Sequence, residues 1–75
     1  MSSILVKELG RHIDDPGPPE YYSRPGASAW RRGFTARCWR GPDASNSYTS
    51  RFSQQAWLAG FDAAGTAIRQ AQEAK

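Results

Sequence analysis

Trp57–Ile68 (WLAGFDAAGTAI) is the stretch on which the reading of this chain turns. Trp57, Gly60, Phe61, Ala64 and Ile68 recur at the i, i+3, i+4, i+7, i+11 spacing of a single helix face. Phe52 and Ala56 extend that face upstream, and Ala67 and Ala71 extend it downstream. Gln54, Gln55, Asp62, Thr66, Arg69 and Glu73 fill the opposite half. A glycine at mid-helix costs about 1 kcal/mol against alanine, so Gly60 needs a compensating gain. Close approach of a second backbone supplies one. The helix is expected to start near Ser50 and to fray out by Glu73–Lys75.

Upstream, Ala29–Arg40 has the pattern of a second helix. It opens after Pro25-Gly26 with Ser28 as the N-cap and stops at Gly41-Pro42. Its inner face is Ala29, Trp30, Gly33, Phe34 and Ala36. Arg31, Arg32, Thr35 and Trp39 lie on the outer face, with Cys38 at the border. A tryptophan beside arginines on an outer face is either covered by the N-terminal arm or exposed for a partner. Gly41–Thr49 (GPDASNSYT) is polar turn material, and no internal repeat is visible. The expected fold is all-α, a small antiparallel two-helix hairpin. Gly33 faces Gly60 in it, so that Trp30, Phe34, Trp57 and Phe61 interlock.

The N-terminal residues 1–13 (MSSILVKELGRHI) hold the apolar cluster Ile4, Leu5, Val6, Leu9 and Ile13. The β-branched run hints at a strand, yet the spacing suits a short helical stretch equally, and a lone strand would have no partner. The expectation is a short helix or an extended arm. Asp14–Gly26 (DDPGPPEYYSRPG) is irregular because its prolines and glycines interrupt any regular element. Tyr21 and Tyr22 are its adhesive residues, either packed on the helices or exposed as an aromatic surface. Residues 1–26 are thus expected to be an arm and Pro-rich loop, and residues 27–75 a two-helix domain.

A chain of 75 residues makes one domain at most and buries only about 60% of its unfolded surface, so the aromatic rings are its main apolar resource. Cys38 has no disulfide partner, and a single histidine, His12, with one cysteine makes no zinc site. No metal and no cofactor is expected. No apolar run approaches the roughly 18 residues of a membrane span. Ile4–Val6 is too short for a signal-peptide core and is followed by Lys7 and Glu8. A cytoplasmic protein is expected.

Charge is unevenly distributed. Residues 1–23 carry two cations against four carboxylates, and residues 53–75 balance. Residues 24–52 hold Arg24, Arg31, Arg32, Arg37, Arg40 and Arg51 against Asp43 alone, a net +5. All of that positive charge is arginine, the planar, bidentate binder of phosphate that also stacks on bases. Six arginines can also do no more than solvate a helix and its loop. No Gly-rich phosphate loop is present, His12 has no second histidine, and Asp14-Asp15 is a solvated loop pair, so no enzyme is expected. The RNA-binding candidates are Arg31, Arg32, Arg37, Trp39, Arg40, Tyr48 and Arg51. Their guanidinium groups would neutralise phosphates while the rings stack on unpaired bases. The alternative is a protein-interaction module, since Trp39, Tyr21 and Tyr22 exceed core needs and two amphipathic helices leave apolar surface for a homodimer or a protein partner.

Residues 29–64 resemble the ribosome modulation factor family of small bacterial proteins. The resemblance is carried by Ala29-x3-Gly33-Phe34-x-Ala36, Tyr48, Trp57-Leu58 and Gly60-Phe61-x-x-Ala64, and covers about half the chain. It implies a two-helix fold. For the best-known members it implies binding to the small ribosomal subunit near the end of its RNA, blocking of messenger engagement and formation of inactive ribosome dimers. Ala29, Gly33, Phe34, Ala36, Trp57, Gly60 and Ala64 would then be architectural, with Arg32 and Tyr48 free to act. The chain departs from the family in its acidic, Pro-rich N-terminal segment, where ribosome-binding members have a basic helix. It also has Ser47 where the family has proline, and Arg40 where the glycine ending the first helix stands. One divergent group is described as modifying quinolone antibiotics, but this sequence supplies no phosphotransfer parts.

Overall fold

The computed structural model describes residues 2–73. Two strands precede two helices: β1 (Ser2–Val6), β2 (Arg11–Asp15), α1 (Arg24–Arg40) and α2 (Arg51–Glu73). The fold is therefore α+β, and the all-α expectation is corrected. The supposed arm is an antiparallel β-hairpin in which Ile4 pairs with Ile13 and Val6 with Arg11. Residues Lys7–Gly10 make its turn, closed by Leu9 and Gly10 N–H groups donating to the Val6 carbonyl, with Gly10 at φ +69°.

A two-stranded ribbon is marginal alone, and this one is held by the helices. Alternation places Ile4, Val6, Arg11, Ile13 and Asp15 on one face of the ribbon and Ser3, Leu5, His12 and Asp14 on the other. Val6 and Ile13 are buried in one cluster with Trp30, Phe34, Cys38, Ala64 and Ile68. The Lys7 N–H donates to the Cys38 carbonyl (3.0 Å), and the Arg11 guanidinium donates to the Ala71 carbonyl. The hairpin thus supplies donors to the orphan carbonyls in the last turns of both helices. Val6 has 0% exposure, so Val6→Ala is expected to lower stability by about 2 kcal/mol. Leu5→Ala, on the open face, should cost less than about 1 kcal/mol in the same urea titration. Equal effects would show that the hairpin is not part of the core.

Helix α2 matches its expected span. Helix α1 begins at Arg24 rather than after Gly26. Pro25 occupies its first turn, where no N–H is needed, and Ser23 rather than Ser28 is the N-cap, without a side-chain cap bond. Gly41, at φ +95°, ends it as expected.

The expected glycine contact is present. A Cβ built on Gly33 would fall well inside 3.0 Å of the Trp57 carbonyl oxygen and 3.1 Å from the Phe61 nitrogen. One on Gly60 would fall well inside 3.0 Å of the Trp30 carbonyl oxygen and 3.1 Å from the Phe34 nitrogen. Each glycine thus meets the carbonyl three residues before the other, with a Cα–H pointing at it, a weak hydrogen-bond geometry that recurs at close helix crossings. Such reciprocity is that of two helices related by a local twofold axis, and the contacts away from the crossing set their sense: they run the same way. Gly26 meets Phe52, Ala29 clusters with Ala56 and Trp57, Arg37 approaches Gly65, and Cys38 clusters with Ile68. The antiparallel arrangement is corrected: both helices start at one end of the molecule.

The twofold relation corrects a second expectation. Ala29-Trp30-x-x-Gly33-Phe34-x-Ala36 recurs as Ala56-Trp57-x-x-Gly60-Phe61-x-Ala63, so the chain does hold a repeat. Within each copy the Trp and Phe rings stack, at 5.3 Å and 26° for Trp30–Phe34 and 5.1 Å and 22° for Trp57–Phe61. Their covers differ. The β-hairpin lies over the first pair, and Ala44 and Tyr48 of the connecting loop pack with Trp57 and Phe61.

Candidate nucleic-acid interface

Because the helices run in the same sense, the loop 41–50 must travel back along α1 before α2 can begin. Asn46 shapes it: its Oδ1 accepts from the Tyr48 N–H (2.9 Å), and its Nδ2 donates to the Gln54 carbonyl (3.3 Å). Gln54 Nε2 returns a bond to the Tyr48 carbonyl (2.7 Å). These three bonds fasten the loop to the first turn of α2 and fix Tyr48.

The returning loop and the outer face of α1 enclose a groove of about 450 Å³. One wall is two rows at helical i, i+4, i+8 spacing, Arg31, Thr35, Trp39 and Arg32, Ala36, Arg40. The other wall is Ser45, Ser47 and Tyr48, and Trp57 completes the lining. Arg31, Arg32 and Arg40 are exposed, Tyr48 is half-buried, and Trp39 is 58% exposed. No carboxylate lines the groove. Among the described residues the one salt bridge is Arg37–Glu8, elsewhere on the molecule. Uncompensated guanidinium groups beside an exposed indole can hold a phosphate and a stacked planar ring at once.

Five of the seven candidate residues, Arg31, Arg32, Trp39, Arg40 and Tyr48, thus come together. Arg37 does not join them. It lies on the far side of α1, half-buried, ion-paired with Glu8 and close to Gly65. Arg51 is also outside the groove, exposed at the first position of α2. Thr35 on the outer face of α1 and Ser45 and Ser47 in the polar loop add hydroxyl groups to the lining. Trp57 was read as core, and its 5% exposure agrees, although it also lines the groove.

Cys38 is buried, and desolvation pushes its thiol up to about 11 despite the opposing pull of Arg37. It is a structural thiol at neutral pH. Among the described residues no group of His, Cys, Asp and Glu side chains could hold a metal ion, and no helix is long and apolar enough to cross a membrane. Comparison of the chain with protein-family models, with curated proteins and with solved structures finds no match in any of the three.

Proposed function

We propose that this protein binds unpaired segments of RNA, the phosphates held by Arg31, Arg32 and Arg40 and a base stacked on Trp39 beside Tyr48. The observation that carries the reading is the groove itself: three guanidinium groups, without a salt-bridge partner among the described residues, stand beside an exposed indole on one wall and face a serine-bearing loop on the other. Arginine supplies sequence-independent affinity for the backbone, and the rings favour single strands, whose bases are free to stack. The resemblance to the ribosome modulation factor family extends this to ribosomal RNA as the target, with modulation of translation or of ribosome dimerisation as the outcome. The hairpin replaces the basic N-terminal helix of ribosome-binding members, so the groove is the part that would engage RNA here.

Affinity for a short oligouridylate is expected to fall steeply with salt, with a log–log slope near −2 for three phosphate contacts on a single strand. Trp39→Ala is expected to weaken binding about tenfold, the loss of one stacked base, without changing that slope. Fluorescence anisotropy at several salt concentrations measures both. Binding that ignores salt, or that survives Trp39→Ala intact, contradicts the reading. Co-sedimentation with ribosomes, with and without nuclease, tests the target.

A further inference from the structure

Three more rings gather at the end of α1 opposite Trp39. The Tyr21 and Tyr22 ring centroids are 4.9 Å apart, and Tyr22 meets Phe52 edge-on at 6.4 Å. A Cβ on Gly26 would fall 2.8 Å from the Tyr22 ring and 2.9 Å from the Phe52 ring, so these two are wedged into the junction where α1 and α2 begin. The wedge half-buries Tyr22 and leaves the outer two rings open. Tyr21 is 82% exposed and Phe52 49% exposed, whereas every other aromatic side chain except Trp39 is buried or half-buried.

The flanks of this ladder are cationic. Arg24 opens α1 and Arg51 opens α2, both exposed, and neither helix has an acidic residue in its first turn. The neighbouring carboxylate, Glu20, makes no salt bridge among the described residues. Burial, and then neighbouring Tyr21, push the Tyr22 phenol above its ordinary 10.0, so it presents no anion to a phosphate at neutral pH.

We infer that the Tyr21–Tyr22–Phe52 ladder, flanked by Arg24 and Arg51, is a second contact for single-stranded RNA, stacking unpaired bases of the strand that occupies the groove. The inference rests on the reading of the groove as an RNA site. Arg24, Arg31 and Arg32, and Arg40 mark the path along α1. From Arg24 to Trp39 the helix rises roughly 22 Å at 1.5 Å per residue, about six to seven nucleotides at 3.4 Å each. A strand of that length reaches both contacts, and the second then forms at high effective concentration.

The test is affinity against oligouridylate length, measured by anisotropy with wild type, Tyr21→Ala, Arg24→Gln and Trp39→Ala. The near-ultraviolet circular dichroism of the buried Trp30 and Trp57 confirms folding of each. Wild type is expected to gain at least tenfold once the strand exceeds about seven nucleotides. Tyr21→Ala should remove that gain and leave shorter strands bound as before. Arg24→Gln should lower long-strand affinity and reduce the salt slope by about one. If Tyr21→Ala and Arg24→Gln match wild type at every length while Trp39→Ala binds more weakly, the ladder inference is overturned and the groove stands; a ladder built for a protein partner gives this result. If wild type binds no strand of any length, both fall.

Discussion

Gly33→Ala and Gly60→Ala are each expected to unfold the protein or leave it without a cooperative transition. In either variant the new methyl group would fall within 3.0 Å of a main-chain carbonyl on the other helix, 2.8 Å from its carbon. A flexible side chain could swing aside, but a carbonyl bonded within its own helix cannot move without displacing that helix. Overpacking in cores costs about 1–3 kcal/mol where side chains can adjust, and against backbone it should reach about 4 kcal/mol or more. A domain of this length has roughly 4–11 kcal/mol in total. Gly65→Ala is the internal comparison. Its methyl group would meet only Arg37 Nε at 3.8 Å, an ordinary contact. The helix-propensity gain of up to about 1 kcal/mol should then appear as stabilisation. Urea unfolding of the three variants reads out opposite signs for one kind of substitution. Equal stability of Gly33→Ala and wild type would mean that the helices do not cross at these positions.

Arg31→Glu combined with Arg32→Glu is expected to reduce RNA affinity by at least a hundredfold at low salt with little change in stability. The two exchanges remove two phosphate contacts and place two carboxylates in the groove, so attraction lost and repulsion gained act together. Both side chains are exposed, and neither forms a salt bridge among the described residues, so folding does not depend on them. Arg37→Gln should do the reverse: it removes the ion pair with Glu8 and so modestly weakens hairpin docking, while RNA affinity stays near wild type. Anisotropy and urea titration of the two variants separate the face of α1 that binds from the face that packs. Equal losses of affinity in both would contradict the groove.

The residues that mark the helices were legible because each helix buries one stripe, and the stripe recurs at helical spacing in the sequence. The glycine contact was legible for a related reason, since a mid-helix glycine is unfavourable unless a backbone takes the space. The sense of the helices was not. A polar loop between helices suggested a tight turn, yet residues 41–50 can reach about 33 Å at 3.3 Å per residue, enough to run back along the roughly 26 Å of α1. The recurrence of Ala-Trp-x-x-Gly-Phe-x-Ala stood in the sequence and carried the pairing of the two glycine faces, because two copies of one contact surface pair about a twofold axis, but that relation fits either sense of the helices. It was hidden by reading each copy only as part of its own stripe.

The hairpin left a weaker trace. Its second strand offers one apolar residue, Ile13, among Arg11, His12, Asp14 and Asp15, so no alternation of apolar and polar residues signals a strand. What holds it is Val6, Ile13 and donors aimed at helix ends, features that exist only once the helices are in place. The groove was half legible for the same reason. Arg31, Arg32, Trp39 and Arg40 share an outer face by spacing alone. Tyr48 joins them only through the return path of the loop, whereas Arg37 lies on the opposite side of α1 by helical spacing alone and pairs there with Glu8 of the hairpin turn.

The most direct measurement is the response of the three indole N–H signals to a single-stranded oligouridylate at low salt, by nuclear magnetic resonance on nitrogen-labelled protein. The Trp39 signal should shift first and furthest. Trp57, at the groove lining, should follow by a smaller amount, and Trp30, buried under the hairpin, should stay in place. An unmoved Trp39 signal at saturating strand, or shifts confined to the hairpin, would contradict the groove as the RNA site.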